Sequence, residues 1–156
     1  MSMIVLLDTT IYLNVLNVPG RNQNRADVFR EFEQKIKNCD TFLLPFPVIL
    51  EAGNHIARIA DGQGRRAYAS KMVADVKEAL DGKTPYRPSS FPERAQFVTW
   101  LDDFPDWAMS NGSSLTDLSI RNEWKNTCDK HPFSRVQIWS LDAHLSSYDR
   151  PPNSSP

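Results

Sequence analysis

"MIVLLDTTIYL", residues Met3 to Leu13, sets a continuous apolar run directly before an aspartate, Asp8, two threonines and a second apolar stretch. A short unbroken apolar run is the pattern of a strand buried on both faces, as in the parallel sheet of an α/β protein. Ending such a strand on a charge is costly, because a lone carboxylate removed from water needs a partner or a metal. Whatever makes Asp8 tolerable therefore bears on fold and function together.

Working outward, the strand pattern recurs. Ile11 to Leu16 begins a helix that ends before Pro19-Gly20. Asn24 to Lys37 carries Val28, Phe32 and Ile36 at i, i+4 and i+8, an amphipathic helix. Thr41 to Leu44 is a second apolar strand, and Pro47 suits the first turn of a helix whose buried face is Val48, Ile49, Ala52, Ile56 and Ile59. After the break at Asp61-Gly62-Gln63-Gly64, Arg65 to Leu80 has Tyr68, Met72, Val76 and Leu80 at helical spacing. Asp81 to Pro88 reads either as a loop or as a short third strand.

Ser90-Phe91-Pro92-Glu93 fits a capping box before a helix with Phe97, Val98 and Leu101, and "WLDDFPDW" reads as that helix's end and a capped turn. Ser113 or Ser114 caps a helix carrying Leu118, Ile120 and Trp124. Val136 to Trp139 is a late strand that also runs toward an aspartate, Asp142. Strands alternating with helices predict an α/β three-layer sandwich around a central, mainly parallel sheet. One domain over 1–150 and a flexible Pro/Ser-rich tail over 151–156 are expected.

Composition narrows the function. At 156 residues, 40% hydrophobic and 24% charged, the chain has the make-up of an ordinary globular domain. A formal net charge of -1 supplies no general pull toward nucleic acid or anionic membranes. Cys39 and Cys128 lack metal spacing and read as reduced thiols. No apolar stretch approaches the roughly 20 residues that span a bilayer, and the N-terminus has no secretory pattern. A cytoplasmic protein with no membrane association is the expectation. The Asp8 segment lacks the second aspartate of aspartyl-phosphate hydrolases, "GQGRR" lacks the third glycine of a dinucleotide fingerprint, and no GxSxG elbow occurs.

In parallel sheets, ligands bind outside the carboxyl ends of the strands, where Asp8 and Asp142 fall. Glu51, in "PVILEAGNHIAR", and Asp117, in "GSSLTDLSIRNEW", lie near helix N-termini, where the macrodipole favours an acid. Together the four would repel unless protons or cations neutralise them. Hard oxygen ligands with no His or Cys nearby select Mg²⁺ or Mn²⁺ over zinc.

"IVLLDTTIYL", "PVILEAGNHIA", "SLTDLSIRNEW" and "VQIWSLDAHL" occur in the order and approximate spacing of the PIN domain, which the chain resembles from about Met3 to Tyr148. The resemblance implies a five-stranded parallel sheet between helices and a metal-dependent endonuclease, usually acting on RNA. It assigns Asp8, Glu51, Asp117 and Asp142 to the metal and catalysis, with Thr10 and Ser140 as supporting hydroxyls. Small members are often toxins of toxin–antitoxin pairs and often dimerise, so the implied partners are RNA, a protein antitoxin and a second copy of the chain. The alternative is a non-catalytic PIN-like module that binds RNA or protein.

Each residue also has a plainer reading. Asp8 and Asp142 could cap helices, and Glu51 and Asp117 could simply answer the helix dipole. Asp102, Asp103 and Asp106 read as a helix end and turn. Asn54, His55 and Arg58 read as a solvated helix face, of which Asn54 or Arg58 could touch phosphate, and Arg121 as a partner of Asp117 or a substrate contact. The basic run Arg65, Arg66, Lys71, Lys77, Lys83 and Arg87 reads as a solvated helix. Trp100, Trp107, Trp124 and Trp139 read as core or interface.

Overall fold

The protein, described here by a computed structural model covering residues 2–154, runs β1 (Met3–Leu7), α1 (Thr9–Val15), α2 (Arg25–Lys37), β2 (Thr41–Leu44), α3 (Phe46–Ala57), α4 (Gly62–Leu80), β3 (Tyr86–Pro88), α5 (Arg94–Asn111), α6 (Leu115–Lys130), β4 (Arg135–Trp139), α7 (Ala143–Ser146) and β5 (Asp149–Arg150). The sheet order is β3-β2-β1-β4-β5. Strands β1 to β4 pair in parallel, and β5 runs antiparallel to β4. The fifth strand thus departs from the all-parallel sheet that the resemblance implied. Only residues 140–148 join β4 to β5, and a parallel crossover needs about a dozen or more residues.

Alternation along the central strands builds a core on each face. Val5, Leu7, Phe42 and Leu44 pack with Val28 and Phe32 of α2, and the Phe32 ring lies 4.9 Å from Phe42 and 5.8 Å from Trp139. On the other face Leu6 and Val136 pack with Cys128 and Trp124 of α6. Helices cover both faces, which is why the strands read as unbroken apolar runs. The arrangement is compatible with a three-layer sandwich.

A polar staple ties the layers at one edge. The hydroxyls of Tyr12 in α1 and Tyr86 in β3 both donate to Asp75 of α4, at 2.7 Å and 2.6 Å. Both phenols are held well above their ordinary titration range, first by burial and then by this carboxylate.

Several local expectations change. The helix α4 begins at Gly62, with Asp61 capping the Gly64 N–H at 2.9 Å. Tyr86–Pro88 is a short strand rather than a loop. The capping box forms between Glu93 and Gln96, one turn beyond the Ser90 expected. "WLDDFPDW" does not end the helix: α5 continues through Pro105 to Asn111 and stops at Gly112, in the left-handed conformation at φ 57°. Pro105 is exposed, so the carbonyl it leaves without a helical donor meets water. Phe97, Val98 and Leu101 face outward rather than into the core. Of the expected tail, Ser155 and Pro156 lie outside the described residues, and the Asn153 N–H donates to the Pro132 carbonyl at 2.8 Å.

Candidate active site

The sheet order places the topological switch point between β1 and β4: from β1 the chain moves to one side, and it returns on the other. Asp8 follows β1 there, and its N–H extends the ladder to the Trp139 carbonyl at 3.0 Å. Its side chain is 3% exposed. It occupies the N-cap position of α1 yet makes no capping bond to the helix, so the helix-cap reading does not explain its burial. Instead Oδ2 accepts from Ser140 Oγ at 2.6 Å and Thr10 Oγ1 at 3.0 Å. Those hydroxyls are themselves held by backbone donors after β4: Asp142 N–H reaches Ser140 Oγ at 2.9 Å, and Leu141 N–H reaches Thr10 Oγ1 at 3.0 Å.

Burial pushes the Asp8 carboxyl above its ordinary value, and the neighbouring Asp117 charge adds to the rise; the hydrogen bonds from Ser140, Thr9 and Thr10 oppose it. Among the described residues no Lys, Arg or His stands at ion-pair distance from Asp8.

Asp8, Glu51, Asp117 and Asp142 all line a single cleft of about 380 Å³ at this edge. Asp117, in the first turn of α6, receives Ser113 Oγ at 2.5 Å, while Ser114 caps its N–H at 3.1 Å. Glu51 of α3 lies 3.4 Å from His55 Nε2. Burial and the Arg21 charge lower the titration of that imidazole, so near neutral pH it is a weak competitor for the Glu51 carboxylate. Asp142 does act as a cap: Oδ1 accepts from the His144 and Leu145 N–H groups at 2.8 Å and 3.3 Å.

The donor chemistry, carboxylates and hydroxyls at a cation-free buried acid, suits a hard divalent ion. Asn14, buried in the same cleft wall, leaves its Oδ1 without a partner. Yet among the described residues no three or more Asp, Glu, His or Cys side chains are arranged to hold a metal ion. The acids share a cleft rather than a preformed cage. A cage is not required for Mg²⁺, which is commonly bound through only one or two carboxylates and keeps several waters. Asp8 and Asp117, whose charges act on each other, are the two carboxylates that could serve such a site.

Other sequence candidates fall elsewhere. Arg121 lies 5.4 Å from the Trp107 ring and bonds Asn122, so it does not pair with Asp117. Arg65, Arg66 and Lys77 rim a groove between α3 and α4, not the acidic cleft. Asp102, Asp103 and Asp106 sit on α5, outside the cleft. Trp107 and Trp139 are buried as expected. Missed from sequence was Arg21, an exposed cation on the cleft wall beside His55. Its position after the Pro19-Gly20 turn gives no periodic signal.

Compared with known proteins, the chain matches no protein-family model and no curated relative.

Proposed function

We propose that the protein is a PIN-like, Mg²⁺- or Mn²⁺-dependent endoribonuclease whose acidic cleft hydrolyses RNA phosphodiester bonds. The observation that carries this reading is Asp8: a buried, cation-free carboxylate at the switch point, not used as a helix cap, in a cleft walled by three further acids. Asp8 and Asp117 would hold the ion, with Glu51 and Asp142 on the surrounding wall. The ion's chemistry would be to lower the pKa of a bound water and to stabilise charge on the leaving oxygen.

The protein's own groups do the rest. Thr10 and Ser140 fix the Asp8 carboxylate and hold it toward the ionised form. Arg21 offers a cation at the wall for a substrate phosphate, so the cleft is not uniformly repulsive to RNA. Bond breaking separates phosphorus from the leaving oxygen, a water oxygen takes its place, and the water's proton ends on the departing hydroxyl.

A toxin–antitoxin role is part of the same proposal. The α3–α4 groove, apolar at Ile56, Met72 and Val73 and rimmed by Arg65, Arg66 and Lys77, suits an acidic amphipathic segment of an antitoxin.

The test is metal and cleavage together. Mn²⁺ should raise the melting temperature of the wild type and leave Asp8→Asn nearly unmoved. RNA cleavage with Mg²⁺ should vanish in Asp8→Asn and Asp142→Asn while both remain folded. RNA binding without metal response or cleavage would favour the non-catalytic module, and equal cleavage by the mutants would place the chemistry elsewhere.

A further inference from the structure

A second cavity, of about 530 Å³, lies between α6 and the segment that leads from β3 into α5. None of the four acids of the proposed nuclease site lines it. One face of α6 forms its wall, and that face is polar: Glu123, Asn126 and Lys130 follow one another at i, i+3 and i+7. Glu123 and Asn126 are half-buried and Lys130 is exposed, so the stripe borders a cavity that opens to solvent. Opposite stand aromatic side chains from three different parts of the fold: Phe46 at the start of α3, Phe91 in the loop and Trp100 in α5. Phe91 is 76% exposed, with its ring 4.5 Å from Phe46.

Glu123 is only partly exposed, and among the described residues no Lys, Arg or His stands at ion-pair distance from it. The Ser89 hydroxyl is its closest donor, at a long 3.5 Å, and that hydroxyl also accepts the Phe46 N–H at 2.7 Å. Burial pushes Glu123 up to about 7. The Oε2 atom thus has one long hydrogen bond, and Lys130 is the nearby charge that relieves the burial.

We propose that this cavity is a guanine-binding subsite of the RNA-binding surface, with Glu123 accepting the N1–H and exocyclic N2–H of the base and the Asn126 amide donating to O6. The chemistry selects the base. A carboxylate accepts at both oxygens, and guanine alone of the four bases presents two adjacent donors on its pairing edge. The neighbouring amide donor completes the match to the guanine O6. The aromatic groups offer stacking surface, as in proteins that bind unpaired bases. Lys130, at the far end of the stripe, supplies the cation for a flanking phosphate. Glu123 lies six positions after Asp117 on α6, about 9 Å further along the axis, so one helix connects the base pocket to the acidic cleft.

The proposal rests on the RNA reading for the source of the base, but binding can be measured without catalysis. The four nucleoside monophosphates and the corresponding short homo-oligoribonucleotides would be titrated by calorimetry, with chelator present, at about pH 8.5, above the value of about 7 at which Glu123 ionises. Guanine should bind about tenfold or more tighter than the other bases. Glu123→Gln, which replaces one acceptor by a donor, should remove that preference, and Trp100→Leu should weaken all bases alike. Should Glu123→Gln fail to fold, Asn126→Ala carries the same test, with a smaller loss confined to guanine. A guanine oligomer binding much more tightly than the monophosphate supports the RNA source, and equal affinities overturn it in favour of a free nucleotide. Equal affinity for all bases, no binding, or a guanine preference that survives Glu123→Gln overturns the site itself. Guanine binding with no magnesium-dependent cleavage would uphold this pocket while removing the nuclease reading.

Discussion

Glu123 makes a quantitative prediction that needs no ligand. Its carboxyl titrates at about 7 in the folded protein, against an ordinary 4.5, because burial opposes the charge more than Ser89 and Lys130 relieve it. The folded state therefore favours the protonated form. The stability this group contributes is fully present below pH 4.5 and is lost as pH rises through about 7. At roughly 1.4 kcal/mol per pH unit, the loss is about 3 kcal/mol. Glu123→Gln keeps the shape and an acceptor for Ser89 but cannot ionise. The variant should therefore be more stable than wild type by about 3 kcal/mol at pH 8.5, or on the order of 10 °C in melting temperature for a chain of this size. Near pH 4.5 the difference should almost close. Urea unfolding of both proteins at the two pH values reads it directly. A difference that stays constant with pH would refute the reasoning, because packing or hydrogen bonding, not charge, would then separate the variants.

Other perturbations test the scaffold. Asp75→Ala removes the acceptor shared by Tyr12, which is fully buried, and Tyr86; it should cost about 3 kcal/mol in urea unfolding, since two phenols lose a charged partner. An effect below about 0.5 kcal/mol would mean that water replaces the carboxylate. Pro105→Ala restores a donor inside the exposed stretch of α5 and should stabilise the protein by about 2 kcal/mol in urea unfolding.

The sheet was legible where residues are buried on both faces, because burial there writes itself as an unbroken apolar run: Met3 to Leu7, Thr41 to Leu44 and Val136 to Trp139 all form strands. β5 was not legible, since its two residues, Asp149 and Arg150, carry no hydrophobic pattern and are held by pairing with β4 and by Arg150 bonds to the Cys128 and Ser134 carbonyls. Helical spacing named Phe97, Val98 and Leu101 as a face but could not say what covers it, and they are exposed. Asp75, one acid on a long helix, carries no signal of its own in the sequence. Its meaning depends on two tyrosines 63 and 11 residues away, which only the tertiary fold brings together. Glu123 was hidden similarly, inside a segment whose evident signal was the cap and acid at its start.

The same logic separates the two aspartates that follow strands. From sequence, Asp8 and Asp142 are equivalent: each follows an apolar strand, and each precedes a helix. In the fold Asp142 Oδ1 accepts from the His144 and Leu145 N–H groups of α7, whereas Asp8 makes no side-chain cap bond of that kind and, beside the adjacent Thr9 N–H, turns to two hydroxyls. Capping gives an exposed Asp142 a structural use beside its place in the cleft wall, because the helix end and water share the charge. It cannot account for Asp8, which is nearly sealed from water and near another acid. Two neutral hydroxyls orient a carboxylate and ease its ionisation, but they bring no positive charge to offset it. If capping were the only demand on this edge of the sheet, a serine at position 8 would meet it at no electrostatic cost. A buried carboxylate in the cleft wall, with no cation at ion-pair distance among the described residues, is thus the feature on which the proposed cation site rests, and a cap does not explain it.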